Sequence, residues 1–192
     1  GPYYQETGLC LVTAGGSCDY SKLGYTHFCH NDINYLISVG VSNIFLPFNA
    51  AESERFVDSS LESRSFTCIR LSNEECYPQN CLDGHESLVV FVGPDSLHLS
   101  EPPQNVDTYY MNEISHSSLN RLITTMIDYR HISIVCGFNA SSLSFDILNR
   151  LYRLEISEVQ LKLIHVPTIS TRVCDSKISI LRESCVETIF KC

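Results

Sequence analysis

Helical periods alternating with short apolar strands, and one run too apolar to be exposed on both faces, predict an α/β domain with a central mixed or parallel sheet flanked by helices. Composition agrees: 192 residues, 44% hydrophobic and 18% charged, hold apolar material for one packed core and lack the low-hydrophobicity, high-charge signature of disorder. The length predicts a single domain over 1–192, with Gly1-Pro2 reading as the scar a protease leaves on removing a tag.

The elements follow in order. Residues 7–16, "TGLCLVTAGG", read as a short strand ending in a Gly15-Gly16 turn. Over 31–40, Ile33, Leu36 and Ile37 fall at helical spacing, with Asn31 or Asp32 as cap and Gly40 as stop. The run "VSNIFLPF" (41–48) is a buried-strand pattern, "NAAESERFVDSSL" a polar helix, and "SFTCIRLS" (65–72) a strand of period 2. Residues 73–106 read as an insert or a set of variable loops. They include a cysteine-bearing loop, the apolar run "SLVVFVG" (87–93), and a stretch broken by Pro94, Pro102 and Pro103. Over 113–128, Ile114, Leu119, Leu122, Ile123 and Ile127 share one helical face. A strand over 131–136, a tight turn and an amphipathic helix over 142–154 come next. "EVQLKLIHV" (158–166) fits helix or strand, and a last element falls in 176–190.

Charge narrows the function classes. Thirteen Lys and Arg against 22 Asp and Glu give a net charge of −9, which leaves no excess of cations for phosphate backbones or anionic lipid. Nucleic acid is excluded by direct charge, and no hydrophobic run reaches the roughly 18 residues of a membrane span. A protein partner is the remaining expectation, and no cofactor is expected. Ten cysteines are too sparse for a small disulfide scaffold, so reduced thiols in an intracellular protein of cytoplasm or nucleus are expected. A secreted or cell-surface disulfide-bonded recognition domain is the alternative.

The chemistry concentrates where the 131–136 strand ends in Cys136 and the loop Gly137-Phe138-Asn139-Ala140 leads through Ser141 and Ser142 into a helix. A strand–loop–helix turn aims free N–H groups and the positive end of the helix dipole at one point, which makes an anion cradle and would lower a thiol pKa at Cys136. The equally simple reading is a buried residue ending a strand.

The layout resembles the dual-specificity protein phosphatases, a family whose signature is a strand leading to His-Cys, five loop residues, Arg and a helix. The resemblance puts the nucleophile at Cys136 and the loop serine at Ser141, with Asn139 at a loop glycine. Asp107, 29 residues before Cys136, falls near the family's general acid. The opening strand and helix through "SVGVSNIFLPFNAAES", and the segment "VDTYYMNEISHSSLNRLITTMID", extend the likeness. Ser142 stands in place of the phosphate-binding arginine and Val135 in place of the histidine. A serine hydroxyl cannot replace a bidentate, permanently charged grip on a phosphoryl group. The resemblance therefore implies a pseudophosphatase, with Cys136, Asp107, Ser141 and Ser142 vestigial and protein interaction or scaffolding as its function.

Other constellations are weaker. Cys68, Cys76, Cys81 and His85 are soft zinc ligands at spacings that match no common finger. His27, Cys29 and His30 alternate on an extended segment and point to opposite faces. Asn139-Ala140-Ser141 is an N-glycosylation sequon. Arg150 and Arg153, three apart, share a helix face and could reach an anion or pair with Asp146 or Glu155.

Overall fold

The computed structural model of the chain describes residues 8–16, 19–23, 27, 29–101, 103–154, 159–166 and 185–191. Of the element expected over 176–190, residues 176–184 lie outside the described residues, as do the Gly1-Pro2 pair, Glu155, Cys18, Cys174 and Cys192.

Among the described residues, nine strands form two sheets. The first orders β1 (Leu9–Thr13), β3 (Phe66–Arg70), β2 (Asn43–Phe45) and β6 (Glu113–Ser115). The second orders β5 (Asp107–Met111), β4 (Ser87–Val92), β7 (His131–Cys136), β8 (Gln160–His165) and β9 (Val186–Lys191). All pairings are parallel except β2 with β6 and β8 with β9. The mixed or parallel sheet flanked by helices is thus what the chain forms, divided in two. One residue, Asn112, carries the chain from β5 in one sheet to β6 in the other. Its carbonyl accepts from the Leu46 amide at 2.8 Å, and the Met111 carbonyl accepts from Gly93 at 2.9 Å, which fixes the corner.

The helices are α1 (Asp32–Ser38), α2 (Ala50–Glu62), α3 (His116–Met126) and α4 (Ser141–Arg153). Asn49 caps α2 by accepting from the Glu52 amide at 3.0 Å, and Ser115 and Ser118 form a capping box at the start of α3. Glu52 in turn accepts from Phe48 N–H and from the Asn112 side chain, tying α2 to the corner between the sheets. The main core joins both sheets and gathers Leu88, Val90, Ile132 and Ile134 from β4 and β7 with Leu119, Leu122 and Ile147 from α3 and α4.

Two expectations shift. Within residues 73–106 the apolar run is β4, paired on both sides by β5 and β7 as its apolarity predicts, but the proline-broken stretch that follows opens with a 3-10 turn over Pro94–His98. A strand buried on both faces reads as a continuous apolar run, which "SLVVFV" does. The period-2 reading of 65–72 also changes, because Thr67 to Arg70 of β3 are all buried.

Candidate functional site

Open α/β sheets take ligands beyond the carboxyl ends of their parallel strands. Here that ground is filled by one buried cation. Arg70, the last residue of β3, is 3% exposed. Its Nε donates to Asp32 Oδ2 at 2.6 Å, Nη1 to Asp95 Oδ2 at 3.1 Å and Nη2 to the Cys29 carbonyl at 3.2 Å. The ring of Phe138 lies 5.8 Å from the guanidinium carbon. Burial alone would lower the Arg70 pKa, but the charges of Asp32 and Asp95 outweigh it and raise it, so the group stays ionised. Two glycines admit this packing. A Cβ on Gly16 would sit 2.7 Å from Arg70 Nη1, and one on Gly137 would sit 2.2 Å from Asp95 Cβ.

The loop after β7 packs against this cluster, and its amides are already engaged. Asn139 N–H donates to the His30 carbonyl at 2.7 Å and Ala140 N–H to His165 Nδ1 at 3.2 Å. Ser141 N–H donates to Asn139 Oδ1 at 3.1 Å and Ser142 N–H to Asn34 Oδ1 at 3.0 Å. Burial lowers the His165 pKa, which suits its Nδ1 to accept. Of the expected anion cradle of Gly137, Phe138, Asn139 and Ala140, the amides of Asn139 and Ala140 are thus turned inward upon protein acceptors. Cys136 is fully buried, and burial alone pushes its thiol well above the usual range, opposite to the lowered value expected of a cradle cysteine. Ser141 is exposed, with its hydroxyl donating to Asn139 Oδ1 at 2.7 Å.

Asp107 lies at the other end of the sheet. It pairs in register with Leu88, whereas Cys136 pairs with Val92, four positions further along β4. At about 3.3 Å per residue this separates the two by about 13 Å, too far for an acid and a nucleophile to serve one bond. Asp107 is fully buried and accepts from the amides of Asp83, Gly84 and His85, from His85 Nδ1 at 2.6 Å and from the Tyr129 hydroxyl at 2.6 Å. Burial would raise its pKa, but the hydrogen bonds from Tyr129, His85 and the loop amides outweigh it and hold the carboxyl well below the usual range. Such a group is a fixed anion that organises the 83–85 loop.

The expected zinc ligands are dispersed. Cys68 is buried in β3, its thiol pushed up to about 11 mainly by burial, while Cys81 is exposed and bridged to Thr108, and His85 is bound to Asp107. The Cys76 thiol, half-buried, is likewise pushed up to about 11. Among the described residues no three His, Cys, Asp or Glu gather as metal ligands, and seven cysteines carry free thiols. No described helix is long and apolar enough to cross a membrane.

Sequence reasoning passed over Arg70, Asp95 and Tyr129, and took Asp32 only as a helix cap. The one signal for Arg70 was a lone cation closing the apolar strand "FTCIR"; its partners, 38 residues before and 25 after, left none.

No family model matches the sequence, and no curated protein is similar to it. The fold is similar to solved transketolases. A structure described as "Split gene transketolase, inactive beta4 tetramer" superposes with a TM-score of 0.66 at 13% identity, covering 91% of this chain and 61% of that one. The transketolase of Leishmania mexicana gives 0.61 at 12%, covering 90% and 27%, and that of Campylobacter jejuni subsp. jejuni NCTC 11168 gives 0.60 at 10%, covering 91% and 29%. The chain therefore spans about three-fifths of the first of these and under a third of the others. The phosphatase resemblance is overturned by these neighbours and by the inward-turned loop, and with it the pseudophosphatase and scaffold readings. The neighbours lend nothing to a secreted recognition domain either. What the chain shares with transketolases is an α/β fold of strands, helices and parallel sheet.

Proposed function

We propose that this chain is a transketolase-like module that contributes to a ketol-transfer enzyme together with further domains or subunits. The observation that carries the reading is the fold match over 90–91% of this chain against 61% or less of each neighbour. The strand ends support it: with Arg70, Asp32, Asp95 and Phe138 packed there, a substrate finds room only where another surface completes the site. The first neighbour, a split-gene product assembled as a tetramer, is a precedent for such division.

The fold family is one of thiamine-diphosphate enzymes. The residues present do not fit that group. A diphosphate bound through a divalent cation needs acidic ligands held in common, whereas Asp32 and Asp95 are bound to Arg70 and no ligand cluster forms among the described residues.

Light scattering on the purified chain, paired with an assay of ketol transfer from a ketose to an aldose, tests the reading. A self-associated species well above the 21.7 kDa of one chain, inactive by itself, is expected. Turnover by an isolated monomer would overturn the divided site, and a chain that stays monomeric at about 100 μM would overturn self-assembly.

A further inference from the structure

Two neighbouring cavities on the helical side of the sheets meet at one arginine. Between α3 and α4 lies a cleft of about 450 Å³ whose wall includes Asn120, Thr124, Asn149 and Arg153. Beside it, a hollow of about 210 Å³ is lined by Ile37, Val41, Ile44, Ile114, Leu119 and Leu143. His116, Asp146 and Arg150 belong to the walls of both. Both cavities mix polar and apolar walls, the cleft carrying the larger share of polar groups and the hollow most of the aliphatic ones, and the guanidinium lines both.

Arg150 is held in place before any ligand arrives. Its Nε donates to Asp146 Oδ1 at 3.1 Å, Nη2 to Asp146 Oδ2 at 3.3 Å and to His116 Nδ1 at 3.2 Å, and Nη1 to Asn120 Oδ1. Its side chain is 17% exposed, so the charge is fixed and partly screened from water, while Asp146 at 43% can turn to solvent when displaced. Arg153, one helical turn on, is exposed and carries no ion pair among the described residues. Among the described residues of the walls, Arg150 and Arg153 against Asp146 leave one net positive charge in a chain whose total is −9.

We infer that this paired cavity binds a small amphiphilic monoanion, an aryl- or branched-alkyl carboxylate, with its apolar group in the hollow and its carboxylate on Arg150 and Arg153. The hollow exceeds the roughly 150 Å³ that holds benzene in an apolar cavity, so an aryl ring fits by volume. A carboxylate can exchange for Asp146 on the Arg150 guanidinium, and its one charge matches the single net charge of the described walls. A phosphate monoester brings nearly two charges and would meet Asp146 with only one cation in surplus, which makes it the poorer ligand.

Calorimetry on the whole chain with 3-phenylpropanoate, and with its neutral amide, tests this, together with methyl NMR to place the ligand. Saturable one-to-one binding of the acid is expected, about tenfold weaker for the amide and for Arg153→Gln, a surface change that leaves the fold intact. The methyl signals of Leu119 and Leu143 should shift while those of Ile69, in the separate cluster against α2, stay still. Equal binding of acid and amide, no saturation by about 10 mM, or shifts confined to other methyls would overturn the inference. A Val41→Phe variant, whose larger side chain takes up space in the hollow that Val41 lines, should abolish acid and amide binding alike; undiminished binding would place the ligand elsewhere.

Discussion

The two ends of the strands each bury a charge, and they solve the problem in opposite ways. At the carboxyl ends Arg70 is neutralised by carboxylates brought from two distant segments, Asp32 and Asp95. At the amino ends Asp107 is satisfied almost wholly by dipoles, three amides of one loop and a tyrosine hydroxyl, with His85 beside it. Desolvating an ion is tolerable only with such compensation. The first arrangement ties sequence-distant segments together, and the second folds one loop upon a strand. The first should therefore be the more costly to break and the second the more sensitive to acid.

The largest effect is expected from Arg70→Met, which leaves two carboxylates facing each other in place of the cation. Removing one partner of a buried pair costs about 3–5 kcal/mol, and urea unfolding followed by circular dichroism reads it. A loss below about 1 kcal/mol would mean that water reaches Asp32 and Asp95 and that the strand ends are open. Asp107→Asn should rank next. Its amide nitrogen turns a donor towards donors, and the stranded loop N–H groups bring a loss of about 3 kcal/mol.

The ranking also explains what the sequence could and could not disclose. Strong periodicity or unbroken apolarity marked α3, α4, β4 and β7 plainly, because a single strand or helix suffices to create the pattern. β5 was missed: "DTYYM" opens with a charge and has no alternation, since its burial follows from packing against β4 and from the bonds that surround Asp107. β8 alternates faithfully, with Leu161, Leu163 and His165 buried, but six residues with apolar positions two and four apart also fit a helix. The loop after Cys136 was legible as strand, turn and helix. Where its amides point was not, because the Asn34 side chain that receives the Ser142 N–H lies 108 residues away. The order of strands and helices resembled a phosphatase for the same reason: linear order is shared by many α/β folds, and sheet order is settled by packing.

A glycine substitution probes the carboxyl end without touching a charge. In Gly137→Ala the new methyl would meet Asp95 Cβ at 2.2 Å and the Asp95 carbonyl carbon at 2.7 Å, one of them backbone that has little room to give. Overpacking of this kind costs about 2 kcal/mol. The companion Gly16→Ala meets Arg70 Nη1 at 2.7 Å, the far end of a side chain, and should cost less. If the two melt at the same temperature, the cluster yields as a whole and the distinction between rigid and flexible walls fails.

The smallest change falls at the amino end and carries a pH signature. Tyr129→Phe removes one hydroxyl donated to Asp107 and should cost about 1.5 kcal/mol at neutral pH. Asp107 has a folded pKa below its unfolded value, so its contribution is fully present above the unfolded value of about 4 and is lost as pH falls through the folded one. Losing the tyrosine donor raises the folded pKa towards the unfolded value. The gap between wild type and Tyr129→Phe should thus hold constant from pH 7 to about 4 and narrow below it, as the variant takes up its proton first. Chemical denaturation at a series of pH values measures the gap directly. A gap that stays the same down to about pH 2 would show that the hydroxyl contributes packing alone and that the charge of Asp107 rests on the loop amides and His85.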